Sequence, residues 1–264
     1  MVLKSYFDGG NQADSSQYDR ISLATVCGTA NQWKRFEIAW RKVLYKHKAE
    51  FLHTSDAVSL NNEFSKDKGW NKTLVDAFIG DCVKTIGKHI EIPAGTPRKR
   101  ARAGLYPFTL TVPLEDWKRA RKVNSKLPTA VPEVCTTESL GFCFKRGRAI
   151  GAKFYQLYFD QGEPFFGHAH DRMRNPKSKK YILSLKQVTH IGESDMRLVP
   201  ALQMADLFAW CINHNDRVTR QWHRELHGLP WKALLLDYDR LLKPIPGALE
   251  RIATWKLPRR KPTE

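Results

Sequence analysis

Three aspartates stand in surroundings that would repel a bare charge. Asp8 closes the apolar run of residues 3–7 and is followed by Gly9 and Gly10. Asp160 closes a second such run, residues 154–159, and the two runs share the string Tyr-Phe-Asp, at Tyr6-Phe7-Asp8 and again at Tyr158-Phe159-Asp160. Asp206 lies inside residues 198–212, LVPALQMADLFAWCI, which has the apolar density of a buried helix. A carboxylate removed from water is costly unless positive charge or several hydrogen bonds meet it. Two aspartates at the ends of neighbouring strands and one on a covering helix can arrange oxygen ligands around two divalent ions roughly 3.5 to 4 Å apart, the geometry of phosphodiester hydrolysis. Oxygen donors of this kind suit Mg2+ or Mn2+. The plainer alternative for Asp206 is a carboxylate that accepts a backbone amide of a neighbouring loop.

Other side chains fall close to these in sequence. Gln203 precedes Asp206 by about one helical turn and could orient a carboxylate, a metal-bound water or a phosphate; otherwise it is a hydrogen-bonded core amide. His168 and His170 follow the Asp160 strand in an expected loop, where an imidazole could protonate a leaving oxygen. His53, beside Phe51 and Leu52, is a candidate phosphate contact. Each histidine also reads as an ordinary loop residue, and His-x-His is a weak zinc signal without a third ligand nearby. Tryptophans such as Trp33, Trp40, Trp210 and Trp222 read as core.

The elements that must position these groups follow from hydrophobic periodicity. Residues 3–7 and 21–27 read as a hairpin with a long polar connection, and residues 31–45 and 71–89 as amphipathic helices. Residues 50–56 form a short extended piece, residues 106–112 a strand, and residues 114–122 and 137–148 helices. Residues 154–160 and 181–186 read as strands, residues 198–212 as a helix, and residues 214–227 as a charged amphipathic segment. Residues 93–104 and 172–180 mix breakers with cations and read as basic loops, offering Arg98, Lys99, Arg100, Arg102, Arg172 and Arg174 to phosphates or simply to solvent. Residues 1–255 read as one domain and residues 256–264 as a basic flexible tail.

Bulk composition narrows the partners. The chain has 264 residues and 42% hydrophobic content, enough for a sizeable core. Lysine and arginine outnumber aspartate and glutamate by 44 to 27, a formal charge of +17 that predicts a polyanionic partner, nucleic acid before a membrane surface. Lys4 and Asp8 interrupt the N-terminal apolar stretch, and no run reaches membrane-spanning length, so a soluble, cytoplasmic protein is expected. The five scattered cysteines read as reduced core thiols.

The two Tyr-Phe-Asp strands together with Gln203-Met204-Ala205-Asp206-Leu207 resemble the signatures of the bacterial family called domain of unknown function 3800, related to the ribonuclease H-like superfamily. The matches spread from residue 3 to about residue 212, and the last is the most specific. The resemblance implies an α/β fold, a ribonuclease H-like mixed sheet flanked by helices and carrying basic loop insertions. It also implies a metal-dependent nuclease site built from Asp8, Asp160 and Asp206. The family usually follows its first aspartate with Glu-Ser-Gly, whereas Gly9, Gly10 and Asn11 follow Asp8. A fourth carboxylate must then come from elsewhere; Asp56 is the candidate and Glu50 the reserve, unless both are surface acids. Two functions follow: a metal-dependent nuclease or phosphodiesterase acting on RNA or DNA, with defence against phage or mobile elements as its expected setting, or a catalytically silent nucleic-acid-binding or adaptor protein on the same fold.

Overall fold

The computed structural model describes residues 1–10, 19–95, 101–174, 186–214 and 220–242. Its sheet grows from the expected hairpin, but with longer arms. Strand β1 (Val2–Gly10) pairs antiparallel with β2 (Arg20–Thr29), and the ladder continues past Asp8 through Gly9↔Leu23 and Gly10↔Ser22. Asp8 therefore sits inside a strand rather than at its end, because two glycines do not break an extended chain that has a partner on one side. Helix α1 (Ala30–His47) follows β2 directly, through a capping box in which Thr29 and Gln32 exchange backbone and side-chain bonds.

The segment expected to be extended at residues 50–56 instead turns into a short helix, α2 (Thr54–Ser59), which leads to α3 (Lys72–His89). After β3 (Tyr106–Pro113) come α4 (Leu114–Val123), α5 (Val131–Ala149) and β4 (Phe154–Asp160). The stretch after β4, read from sequence as a loop, is helix α6 (Pro164–Arg174). Its spacing of Phe165, Ala169 and Met173 at every fourth residue supplies a buried face that a loop would not need. The edge strand is β5 (Val188–Ser194); residues 181–185, the expected strand, lie outside the described residues, as do residues 256–264. Helix α7 (Pro200–Asn213) carries Asp206, and α8 (Gln221–His227), β6 (Lys232–Leu235) and α9 (Tyr238–Leu242) complete the described elements.

The six strands run in the order β5-β4-β1-β2-β3-β6. Pairing is parallel at β5/β4, β4/β1 and β3/β6, and antiparallel at β1/β2 and β2/β3. Alternation along the strands sends side chains to two separate cores. Tyr6, Ala24 and Val26 join Trp33, Trp40, Phe78, Phe208 and Trp222 under α1, α2, α3, α7 and α8. Leu3, Phe7, Leu23 and Leu110 join Trp117, Phe144, Tyr155 and Phe165 under α4, α5, α6 and α9. The mixed α/β architecture is thus a helix–sheet–helix sandwich. All five cysteines are free and buried. Among the described residues no helix is long and apolar enough to cross a membrane.

Helix α5 approaches β4 at Gly147, where a Cβ would collide with the ring of Tyr155. Tyr155 is itself fully buried and its hydroxyl donates to the Phe144 carbonyl. Gly147→Ala is therefore expected to destabilise by about 1–3 kcal/mol through overpacking. A lower urea midpoint with an unchanged slope would check it.

Candidate active site

Parallel pairing of β1 with β4 lays the two Tyr-Phe-Asp strings side by side. Tyr6 pairs with Tyr158 and Phe7 with Phe159. The tyrosine rings stack at 4.9 Å in one core and the phenylalanine rings at 4.3 Å in the other. Asp8 and Asp160 are the next residues on these strands, which lie about 4.8 Å apart. Both share the parity of Tyr6 and Tyr158 and so belong to the face that α7 covers. Asp8 and Asp206 are 4% and 7% exposed, and Asp160 is half-buried.

The three carboxylates feel one another. Burial pushes the Asp8 carboxyl well above the usual carboxylate range, and the charges of Asp206, Glu163 and Asp160 push it further. Asp160 is also raised, chiefly by burial, with the amides of Gln161 and Met196 working against it and Asp206 and Asp195 adding to it. Burial raises Asp206, opposed by the nearby charge of His53 and by two hydrogen bonds from Thr54. Among the described residues no lysine or arginine forms an ion pair with any of the three. The result is a pocket of carboxylates gathered by the fold, with His53 rather than a lysine or arginine beside it.

Two side chains hold Asp206 and its surroundings. The amide and hydroxyl of Thr54, the first residue of α2, both donate to Asp206 Oδ2, at 2.7 and 2.6 Å. The loop-amide alternative for Asp206 is thus realised at one oxygen. Gln203 is fully buried: its Oε1 accepts from Trp40 Nε1 at 2.7 Å and from the Leu52 amide at 3.0 Å, while its Nε2 donates to the Met196 carbonyl at 3.0 Å. It cannot touch a phosphate, which corrects its assignment as a substrate contact. Its task is to tie α1, the approach to α2 and the β5–α7 connection to α7. The Met196 amide in turn donates to Asp160 Oδ1 at 3.1 Å, so the clamp reaches a second carboxylate.

The remaining candidates divide. His53 lies at this site, its Nδ1 2.8 Å from Asp56 Oδ2. Burial pulls its imidazole down, but the charges of Asp206, Asp56 and Asp160 together prevail and leave it raised. Asp56 stands in the first turn of α2, not at a strand end, and partners His53 rather than joining the aspartates directly. Glu50 is exposed and its amide bonds Glu63. The carboxylate that sequence reasoning missed is Glu163, whose charge acts on Asp8 more strongly than that of Asp160. A visible signal existed in Asp160-Gln161-Gly162-Glu163, a glycine turn with an acid at its exit; Gly162 adopts φ +82°, and its amide donates to Glu193.

His168 and His170 sit on α6, which packs on the opposite face of the sheet. Arg172, on the same helix, donates to Thr137 Oγ1 and faces Glu133, and Arg174 ends that helix. Arg102 donates to the carbonyls of Gly87 and Ile90, at the C-terminus of α3. Arg98, Lys99 and Arg100 lie outside the described residues. None of the described cations proposed for phosphate binding is brought to the aspartates.

The donor set, buried carboxylate oxygens with no lysine or arginine partner among the described residues and His53 as the neighbouring base, has the chemistry of a site for a hard divalent cation. Among the described residues, however, no group of three or more His, Cys, Asp or Glu side chains is already arranged to hold a metal.

Because folded Asp8 keeps its proton to higher pH than the unfolded chain does, stability falls as pH rises from the ordinary carboxylate range toward the raised value. Asp8→Asn is therefore expected to raise the melting temperature of the metal-free protein at pH 7 by about 2–4 °C, and the gain should fade below about pH 4. Gln203→Leu should do the reverse. It strands two buried N–H groups and a carbonyl, and should cost roughly 3 kcal/mol or more in urea unfolding at any pH. The chain matches no model of a known protein family and none of the curated proteins, so its function has to be read from this site.

Proposed function

We propose that the protein is a nuclease or phosphodiesterase that uses Mg2+ or Mn2+, held by Asp8, Asp160 and Asp206, to hydrolyse RNA or DNA, on a ribonuclease H-like fold. The observation that carries this reading is the gathering of three aspartates on one face of the sheet, from two parallel strands and a covering helix. A fold that holds buried carboxylates together with no lysine or arginine to pair them gains most when a divalent ion enters. Once bound, such ions orient and deprotonate a water and stabilise the leaving oxygen of a phosphodiester.

The chain's own residues divide the remaining work. Asp206 is fixed by Thr54 at Oδ2, and its Oδ1 would be the oxygen that holds the ion. Asp8 contributes a carboxylate whose ionisation is resisted until a cation offsets it. Glu163 takes the place of the acid that the resembled family carries directly after its first aspartate. His53, oriented by Asp56 and with its imidazole held above its ordinary range by the surrounding carboxylates, can hold a phosphate oxygen or give a proton to the leaving group. The net charge of +17 supplies long-range attraction for a nucleic acid.

The silent nucleic-acid-binding reading is favoured by one observation, the absence of a ready metal-holding set among the described residues. The two readings separate in one experiment. Mn2+ should raise the melting temperature of the wild type and not that of Asp8→Asn or Asp206→Asn, since a ligand that binds only the folded state stabilises it by mass action. The same preparation should cut at least one of single-stranded RNA, double-stranded RNA, single-stranded DNA or double-stranded DNA in Mn2+ and none in a chelator. Nucleic-acid binding with no cleavage and no metal-dependent shift would establish the silent protein instead.

A further inference from the structure

At the end of the sheet away from the carboxylates, the molecule carries a cleft of the opposite sign. It has a volume of about 220 Å³ and is lined by Gln32 and Arg35 of α1, Lys88 and His89 of α3, and the segment Arg102, Ala103 and Gly104. A smaller cavity of about 150 Å³ shares Gln32, Ala103 and Gly104 and reaches Leu3, Gly28 and Thr29, where β1 begins and β2 ends. Leu3 pairs with Thr29 and Asp8 with Ala24, so this end lies five residues, about 16 Å, along β1 from Asp8.

Four cationic or protonatable side chains converge there and no acid lines the cleft. Arg102 is held in place by the carbonyls of Gly87 and Ile90, at 2.8 and 2.9 Å, with guanidinium donors left over. His89 is half-buried against the Phe36 ring. All three cations line the same cleft as His89, and burial first, then the charges of Arg102, Arg35 and Lys88, hold its imidazole below its ordinary range. Arg35 and Lys88 are exposed, and among the described residues neither forms an ion pair. The nearest acid on the adjoining segment, Glu91, is taken up by Arg146. Packed cations without an anion repel one another, just as the aspartates do at the other end, and a bound anion relieves the repulsion.

We propose that this cleft, built by Arg35, Lys88, His89 and Arg102 with Gln32 as a polar wall, is a phosphate-binding site distinct from the carboxylate site. Its ligand is a phosphate group, supplied by free phosphate or by the end of a nucleic-acid strand. Fork-shaped guanidinium donors and a compact ammonium suit tetrahedral phosphate oxygens. The site does not rest on the metal-dependent reading of the aspartates.

The test follows the His89 ring resonances by NMR while inorganic phosphate is added to the full chain. A saturable shift is expected in the wild type and in Asp8→Asn alike. Arg35→Glu combined with Lys88→Glu should weaken it by about tenfold or more, and Arg35→Ala alone should weaken it less. Arg102 is left untouched because it also holds backbone. In a second arm, a 5′-phosphorylated oligonucleotide is compared with its 5′-hydroxyl counterpart. A shift of His89 by the phosphorylated strand only assigns the site to a strand end. No shift with either strand, but a shift with free phosphate, assigns it to the small ion. If phosphate leaves His89 unmoved, or moves it equally in the double variant, the proposal is overturned.

Discussion

The parallel alignment of β1 with β4 is the constraint on which the site depends. Side chains alternate along a strand, so a slip of one residue between these two would send the carboxylate of one to the opposite core. Burial and the neighbouring acids act against the carboxylates of Asp8 and Asp160 in this register. The preceding residues supply the favourable side: two stacked aromatic pairs, one on each face, gain burial and ring contact only in this register. Each is fixed by a different core, so neither face can slip without disturbing the other. The Tyr-Phe-Asp repeat is thus a device in which two aromatic residues hold a third that would otherwise leave.

The third carboxylate is placed by polar rather than aromatic means. Helix α7 is apolar enough to be buried on every side, and eleven of its residues are. Hydrophobic burial alone would not define its rotation about its own axis. Gln203 does, because its amide has directional partners on three different segments, Trp40, Leu52 and Met196. Thr54 then meets Asp206 one turn further along. Buried polar groups of this kind specify an arrangement more than they strengthen it. Two of them, Gln203 through Met196 and Thr54 directly, act on the carboxylates themselves.

What the sequence disclosed and what it hid divide along the same physical line. Strands and helices with strong periodicity, such as α1, α3, β3 and α7, were legible because the apolar pattern is imposed by the core they face. So were the three aspartates, since a carboxylate in an apolar run is conspicuous. The short helices were not legible. α2 has six residues and little apolar pattern, and it owes its existence to the Thr54–Asp206 contact 152 positions away. Helix α6 was hidden by Gly167, Pro164 and two histidines, which suggest a loop when its buried face at Phe165, Ala169 and Met173 is not yet known. Gln203 was noticed for the right reason, its closeness to Asp206, and given the wrong partner, because spacing shows which helix face a residue shares but not what lies opposite. Glu163 was missed because a turn's exit direction depends on φ at one glycine.

Charge is separated along the sheet, and this bears on how the molecule meets a phosphate polymer. The carboxylates collect toward one end of β1 while Arg35, Lys88 and Arg102 collect toward the other. The cation excess draws a polyanion to the surface from a distance, but at the aspartates the local field has the opposite sign and repels a phosphodiester. Among the described residues none of the cations of that cleft forms an ion pair with an aspartate of the pocket. Net charge therefore cannot neutralise the carboxylate pocket; only something inside it can. In the proposed reaction a divalent ion held by Asp8, Asp160 and Asp206 would offset the field that keeps phosphate away, so cation and phosphodiester would bind cooperatively.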